Sequence, residues 1–172
     1  MSDENSRLSG QESGAIRLRD EQSGDEALLF ELYASTREEE LSLTGWDEAT
    51  RKPFLDMQFR AMRAGYRSMF PLGQFSIILA EGTPVGRIVV DRSAQEIHVA
   101  DIVVLAAQRN RGIGCRVMKA LLVEAGLARK PVRLQVLKHS RAIAFYRRLG
   151  FSQVGGTEIY EQMEWRPPER GG

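Results

Sequence analysis

A turn rich in glycine and arginine precedes a helix-like segment in the middle of the chain. Residues 108–114 read QRNRGIG, and the apolar residues that follow recur at helical spacing. The first N–H groups of a helix have no acceptor within it, and they lie at the positive end of the helix dipole. Gly112 and Gly114 let the backbone approach a ligand, while Arg109 and Arg111 add positive charge. The turn therefore predicts an anion site, suited above all to a diphosphate.

Two well-known phosphate-binding motifs do not fit this turn. A nucleotide P-loop ends in Gly-Lys-Ser/Thr, whereas this turn continues with Gly114, Cys115 and Arg116. A dinucleotide fingerprint requires a third glycine, and Val117 stands in its place. From the turn alone, a phosphorylated cofactor and a basic helix cap without a ligand are equally good interpretations.

The elements that must position this turn follow from hydrophobic periodicity. Alternating apolar and polar residues predict strands, and apolar residues three or four apart predict helices. Ser23 and Glu26 have the spacing of a capping box before the first helix, and Pro53 suits the first turn of the second. The predicted order is β-α-α-β-β-β-α-β-α-β, which describes one mixed α/β domain. Strands are predicted at residues 15–20, 75–82, 84–91, 96–105, 132–137 and 159–165, and helices up to residue 41, at residues 53–69, after residue 114 and at residues 140–149.

Composition and charge restrict the function classes. The chain has 172 residues with 42% hydrophobic and 27% charged content, as in an ordinary soluble domain. Its net charge of +1 indicates no nucleic-acid partner, and no apolar run approaches the roughly 20 residues that span a membrane. Cys115 is the only cysteine, which excludes an internal disulfide and a cysteine-based zinc site and fits a cytoplasmic location. We expect no metal, a flexible tail at residues 1–14, a domain at residues 15–166 and a second tail at residues 167–172.

Two segments together resemble the GNAT superfamily of N-acetyltransferases. Residues 109–114, RNRGIG, match the signature Arg/Gln-x-x-Gly-x-Gly/Ala with which these enzymes hold the pyrophosphate of acetyl-CoA. Residues 140–151, SRAIAFYRRLGF, are similar to the family segment Asn-x-x-Ala-x-x-x-Tyr-x-x-x-Gly-Phe. The resemblance extends over residues 15–165, and residues 34–62 also resemble a bacterial subgroup whose substrate is unassigned.

The resemblance implies both a fold and an activity. The fold is a single GNAT-like α/β (α+β) domain, in which a mixed, mostly antiparallel sheet of six or seven strands has helices on both faces. The strand before the turn opens a V-shaped gap beside the next strand. The activity is an acetyl-CoA-dependent transfer of an acetyl group, directly from the thioester to a primary amine of a small molecule, peptide or protein. A non-catalytic acyl-CoA-binding module of the same fold is the alternative.

The resemblance also implies where acetyl-CoA lies. Backbone of the strand before the turn would pair with the pantetheine, and the turn would hold the diphosphate. Ser140 stands where the family has Asn if the count runs from Val136, and His139 does if the count runs back from Tyr146. Neither side chain reproduces the combined donor and acceptor of an amide. The implied cofactor-binding residues are Ile102, Val103, Val104, Arg109, Asn110, Arg111, Gly112, Ile113, Gly114, Cys115 and Ser140.

Acetyl transfer requires a proton donor for the leaving thiolate. The resemblance implies this role for Tyr146, on the short helix near the thioester sulfur. The alternative is a core tyrosine packed beside Phe145 and Leu149. Cys115 is interpreted as structural, because transfer in the family resembles direct attack and buried cysteines commonly act as small hydrophobic residues.

The acceptor amine must also lose a proton, since such amines are mostly ammonium at neutral pH. Glu96, His98 and Asp101 lie on the strand that leads to the turn, where the family places a carboxylate or a water chain. We favour Asp101, which is closest to the inferred thioester. Alternation puts Glu96 and His98 on one face and Asp101 on the other, unless a bulge resets the phase. Each of the three is otherwise an exposed strand residue.

An acidic run ends the first predicted helix. Three carboxylates at a helix C-terminus are unfavourable, which indicates a use such as binding a cationic amine. Glu38, Glu39 and Trp46 are therefore candidate substrate contacts. The alternative is a solvated face with Arg37 and Lys52 as partners. A homodimer is expected if the last strand is an edge strand with unpaired backbone groups.

Overall fold

The structure, a computed structural model, describes residues 15–169, and the side chain of Glu39 lies outside the described part. The tail predicted at residues 1–14 and the last part of the one predicted at 167–172 also lie outside it. Two short 3₁₀ turns, Ser23–Asp25 and Ala106–Gln108, accompany the longer elements. These are β1 (Ile16–Asp20), α1 (Glu26–Ser42), α2 (Glu48–Met69), β2 (Gln74–Ala80), β3 (Thr83–Arg92), β4 (Ile97–Val104), α3 (Ile113–Ala128), β5 (Val132–Leu137), α4 (Ala142–Arg148), β6 (Ser152–Gly156) and β7 (Tyr160–Trp165).

One sheet of seven strands organises residues 15–169, in the order β1-β2-β3-β4-β5-β7-β6. The pair β4–β5 is parallel, and the other neighbours are antiparallel. Ile77 belongs to the core beneath α1 and α2, and the adjacent Ile78 belongs to the core beneath α3 and α4. Since successive strand residues face opposite sides, helices cover both faces. The predicted fold class is confirmed. None of the helices within residues 15–169 is long and apolar enough to cross a membrane.

The position of the last strand differs from the prediction. β7 pairs with β5 on one side and β6 on the other, so β6 rather than β7 is the edge strand. The argument that residues 159–165 offer an open edge to a second subunit is therefore wrong. β6 was not predicted because its sequence, SQVGG, is exposed throughout and shows no alternation.

Local hydrogen bonds move two helix starts away from the predicted positions. α2 begins at Glu48 rather than at Pro53, because Oδ1 of Asp47 accepts the N–H of Thr50 at 2.9 Å and caps the helix. Ahead of α1, Oδ2 of Asp25 accepts the N–H of Gln22 at 2.8 Å, so the predicted pairing of Ser23 with Glu26 shifts by one residue. Arg19 fixes this Asp25 carboxylate, donating to both of its oxygens.

The strands that border the site approach each other closely at β3. The predicted turn between β2 and β3 is confirmed, with φ of 52° at Glu81 and 80° at Gly82, as a two-residue type I′ hairpin requires.

A Cβ on Gly86 would lie only 2.5 Å from the carbonyl oxygen of Val103 on β4. Glycine at this position therefore allows β3 and β4 to pair beside the gap described below.

Candidate active site

The sheet opens between β4 and β5. These strands pair at three positions, the last of which joins Val99 to Leu134. Beyond it, residues 101–104 of β4 pair with β3 on their other side, while β5 continues to Leu137 against β7. The edge of β4 that faces β5 is therefore unpaired over residues 101–104, which lead to the glycine-rich segment. This is the V-shaped gap that the resemblance implied.

A β-bulge at Ala100 marks the start of the gap and changes the faces of β4. Val89 pairs with Asp101 and the next residue of β3 pairs with Val99, so Ala100 is the extra residue. Before the bulge the odd-numbered residues of β4 face the core under α3, and after it the even-numbered residues do. Asp101 consequently shares the face of His98. The bulge thus resets the alternation along β4, the exception for which the sequence analysis allowed.

Hydrogen bonding to β3 determines which backbone groups face the gap. The N–H of Leu105 donates to the carbonyl of Val85 at 2.9 Å. In an antiparallel pair the residues that bond across the ladder alternate with those that point away. Val103 and Asp101 therefore direct their backbone groups to β3, whereas Ile102 and Val104 direct theirs to the gap. Of the three implied pantetheine contacts, Val103 faces away.

The turn after β4 forms a concave cradle of backbone N–H groups. Asn110 and Gly112 have left-handed φ values of 61° and 74°. α3 begins at Ile113. The N–H of Arg116 donates to the carbonyl of Gly112, the residue before the helix, at 3.0 Å. The N–H groups from Asn110 to Cys115 meet no acceptor among residues 15–169. Such a run of free donors at a helix start binds anions.

The two glycines of the turn contribute differently. Gly112 requires glycine because of its left-handed conformation, although a Cβ there would meet nothing within 4 Å. Gly114 lies within α3, and a Cβ there would be 3.8 Å from the ring of Phe145, an ordinary contact. The backbone conformation thus restricts the first glycine, whereas the second tolerates alanine, as the family signature does.

The arginines of the turn point in different directions. Arg109 turns back, donating from Nε to the carbonyl of Val104 at 3.0 Å and from Nη2 to Oγ of Ser35 at 3.1 Å. Arg111 instead lines a cavity of about 270 Å³ beside the cradle, together with Arg116 and the β2–β3 turn. The positive charge beside the cradle therefore comes from Arg111 and Arg116. Arg109 ties the turn to α1 and to the end of β4.

The segment before α4 places Ser140 as a local cap. Its Oγ accepts the N–H of Ala142 at 3.2 Å, which satisfies a donor at the start of α4. The preceding His139 is exposed and has a left-handed φ of 66°. Cys115, on the first turn of α3, is a free and partly exposed thiol.

Tyr146 combines a buried ring with a free hydroxyl. Its ring is 8% exposed and packs edge-on against Phe145 and Phe151, with centroids 5.1 and 5.7 Å away. Burial, assisted by the negative charge of Asp101, raises the pKa of Tyr146 to about 12. The hydroxyl makes no hydrogen bond to residues 15–169. The ring is therefore part of the core, and the phenol is a protonated, unengaged donor at neutral pH.

Asp101 is held by an arginine that the sequence analysis missed. Arg87 on β3 donates from Nη2 and Nε to Oδ2 of Asp101, at 2.5 and 3.2 Å. Tyr66 of α2 donates to the carbonyl of Ala100, 3.5 Å away, and burial and then the charge of Asp101 raise its pKa. Asp101 thus acts electrostatically on a tyrosine at each side of the gap. The available signal was a lone arginine inside the apolar strand PVGRIVVD.

The two other candidate bases lie before the bulge. The carboxylate of Glu96 pairs with Arg133 at 2.6 Å, and Arg133 also binds Glu164. His98 stacks on Phe70 with centroids 5.6 Å apart, and burial lowers its pKa. Glu96 is therefore engaged in a partly buried ion-pair network, while His98 is neutral at neutral pH.

The acidic run ends α1, and the loop to α2 follows it. Glu40 pairs with Arg37 at 2.8 Å. The solvated-face interpretation named Arg37 as a partner of the acidic run. Glu38 is exposed and pairs with no cation among the described side chains. Trp46, which is 42% exposed, packs edge-on against Phe54 at 5.0 Å. Within residues 15–169, no three side chains of His, Cys, Asp or Glu come together as a metal site.

Comparisons with known proteins agree with this geometry. Residues 71–153 match the acetyltransferase (GNAT) domain, and this span contains the gap, the cradle and Tyr146. The fold is similar to that of the PaiA N-acetyltransferase from Thermoplasma acidophilum in complex with coenzyme A, at 18% identity and a TM-score of 0.62 over 88% of this chain and 99% of that chain. An acetyltransferase from Thermus thermophilus is 18% identical with a TM-score of 0.65, over 88% and 96% of the two chains. An aminoglycoside 6′-N-acetyltransferase complexed with coenzyme A is 16% identical with a TM-score of 0.59, over 91% and 99%.

The matched segment and the fold agree with the two motifs that carried the resemblance. The open strand, the cradle and the tyrosine all lie on the elements where the resemblance implied them. Residues 71–153 therefore match the acetyltransferase (GNAT) domain, and the fold around them is similar to that of solved acetyltransferases.

Proposed function

We propose that the chain is an acetyl-CoA-dependent N-acetyltransferase, which moves the acetyl group directly from the thioester to a primary amine of a small molecule, peptide or protein. One observation carries the proposal. The unpaired backbone of β4 leads directly into the cradle of free N–H groups at residues 110–115. A ligand that suits both has an extended, amide-bearing arm joined to a diphosphate, and coenzyme A has this constitution.

In this proposal the backbone holds most of the cofactor. The N–H groups from Asn110 to Cys115 receive the diphosphate, and Arg111 adds charge beside it. Ile102 offers its N–H and carbonyl to the pantetheine, and Val104 offers its N–H. The carbonyl of Val104 already accepts from Arg109. Ser140 contributes to the edge of this site through its position before α4.

Tyr146 is the proposed acid. When bound, acetyl-CoA supplies the activated thioester. As the bond from the acetyl carbon to the amine nitrogen forms, the bond to sulfur breaks and its electron pair stays on sulfur. The phenol gives its proton to this thiolate, which requires that it be protonated beforehand. A pKa of about 12 meets that requirement at neutral pH.

Asp101 is the proposed base. Its Oδ2 is occupied by Arg87, while Oδ1 accepts no hydrogen bond from residues 15–169 and is available to the ammonium, directly or through a water. The first proton of the ammonium goes to Oδ1. The second, lost as the amide forms, returns to the tyrosinate of Tyr146. One proton per turnover is thus released to solvent from Asp101.

The end of α1 is the proposed contact for a cationic acceptor, through Glu38, Glu39 and Trp46. Its support is the exposed carboxylate of Glu38, which pairs with no cation among the described side chains, and the exposed ring of Trp46 in the loop that follows α1. A Glu38→Gln variant should raise the Michaelis constant of the amine about threefold, as removal of one exposed charge does, and leave acetyl-CoA binding unchanged. An unchanged Michaelis constant would remove Glu38 from the site.

Thiol release measured with a panel of amines tests the activity. The panel contains kanamycin, spermidine, tyramine and a tetrapeptide with a free amino terminus, each incubated with acetyl-CoA with and without the protein. We expect at least one amine to accelerate release and to gain the mass of an acetyl group. The departure from the family Asn at Ser140 supports the second candidate, a non-catalytic acyl-CoA-binding module. Binding of acetyl-CoA without acetylation of any amine would support that module.

A further inference from the structure

Arg87 is a charged residue buried in the middle of an apolar strand. It is 5% exposed, between the buried residues Gly86 and Ile88 of β3. Its guanidinium lies over the ring of Tyr66, 5.5 Å from the centroid, and Nη2 contacts the sulfur of Met62 at 3.9 Å. Residues of α2 therefore pack against one side of this cation while Asp101 binds it from β4.

Fold stability does not account for an arginine at this position. Removing a guanidinium from water is unfavourable, and replacement of a buried ion pair by apolar residues is often neutral or stabilising. The pair is also asymmetric, because 5% of the Arg87 side chain is exposed and 25% of the Asp101 side chain is. The cation is closed off, and the carboxylate is open beside the gap.

The geometry of the pair leaves one carboxylate oxygen available. Both hydrogen bonds from Arg87 reach Oδ2, and among residues 15–169 no donor reaches Oδ1. Because the guanidinium is planar and is itself held by Tyr66, the plane of the carboxylate is restricted. Asp101 also follows the bulge residue Ala100, so its backbone is fixed at the start of the gap.

We propose that Arg87 is a positioning residue for acetyl transfer, which holds Asp101 through Oδ2 and presents Oδ1 to the acceptor amine. The inference rests on the proposed function. The charge of Asp101 acts on Tyr146 from α4 and on Tyr66 from α2, and Arg87 supplies the positive charge that binds Asp101. Without Arg87, Oδ2 of Asp101 has no donor among residues 15–169, and the carboxylate is no longer held in one orientation.

Kinetics of two Arg87 variants test this role, with acetyl-CoA and the most active amine of the panel. In Arg87→Met the cation is lost, and we expect kcat/KM for the amine to fall about 10- to 100-fold. The loss should fall on kcat, with the Michaelis constant of acetyl-CoA unchanged. Arg87→Lys keeps a charge but not the planar two-atom contact, so kcat should fall by less than in Arg87→Met.

Arg92→Met is the matched control. Arg92 lies on the same strand and binds the carboxylate of Glu124 at 2.6 Å, but this pair is exposed and lies at the far end of β3 from the gap. Its kinetics should equal those of the wild type. Circular dichroism and thermal unfolding of each variant give the folded fraction by which rates are corrected.

The outcomes separate the two proposals. A wild-type kcat in folded Arg87→Met would overturn the positioning role while leaving the proposed function intact. If Arg87→Met does not fold, Arg87→Lys decides, and a wild-type kcat in that variant overturns the role. Failure of the wild type to acetylate any amine of the panel would reject the proposed function and this inference together.

Discussion

The two sides of the candidate site are built by different means. The cradle at residues 110–115 consists of backbone N–H groups that one local turn presents. The proposed catalytic side consists of Arg87, Asp101 and Tyr146, which come from three separate elements. A side-chain substitution on the catalytic side should therefore leave cofactor binding intact. Only a change to the backbone conformation or charge of the turn should remove it.

The largest expected effect concerns Asp101 and stability. Asp101→Asn removes the anion that compensates the buried Arg87, and loss of one partner of a buried ion pair costs about 3–5 kcal/mol. We expect the free energy of unfolding, measured in urea, to fall by an amount near the lower end of that range, since Asp101 is partly exposed. The double variant Arg87→Met with Asp101→Asn should recover most of the loss. Equal destabilisation of the single and double variants would contradict the pairing.

Tyr146→Phe separates chemistry from binding on the two sides. It keeps the ring between Phe145 and Phe151 and removes the phenolic proton, so kcat should fall about 100-fold. Calorimetric affinity for acetyl-CoA and the melting temperature should remain those of the wild type, because the hydroxyl makes no hydrogen bond to residues 15–169. Turnover at the wild-type rate would show that Tyr146 is a core residue only.

The smallest effect is a pH dependence at His98. Burial against Phe70 lowers its pKa below the ordinary value of 6.5, so the folded state binds fewer protons than the unfolded state near that pH. Its contribution to stability is therefore present above pH 6.5 and is lost as the pH falls below it. Between pH 7 and pH 5 the free energy of unfolding, measured in urea, should fall less for His98→Gln than for the wild type. Parallel pH dependences would contradict a burial effect at His98.

The same contrast explains what could be predicted from the sequence. The cradle depends on neighbouring residues, since Gly112 and the helix start after it are local features. The elements with clear periodicity were also predicted, namely β1 to β5, β7 and α1 to α4, apart from the exact starts of α1 and α2. α2 starts at the cap that Asp47 provides and not at Pro53. The hydrogen bond from the N–H of Thr50 to Asp47 identifies this cap.

Features that depend on contacts between distant segments could not be predicted. β7 lies between β5 and β6 because of pairing that no local pattern encodes. The face of Asp101 depends on the bulge at Ala100, which exists only in the register with β3. Arg87 was recognisable as a charge in an apolar strand, but its partner lies on the next strand. The side-chain part of the site is therefore a product of the assembled sheet.

Calorimetric titration with acetyl-CoA tests the central claim most directly, comparing the wild type with Gly112→Glu. This substitution adds a negative charge and a Cβ at φ 74° in the cradle, without a neighbour within 4 Å to clash with. Gly45→Glu is the control, because Gly45 also has a positive φ, 67°, and open space, but lies in the α1–α2 loop. We predict one-to-one binding by the wild type and the control, and affinity at least about 100-fold weaker in Gly112→Glu. No binding by the wild type, or equal binding by Gly112→Glu, would contradict the account.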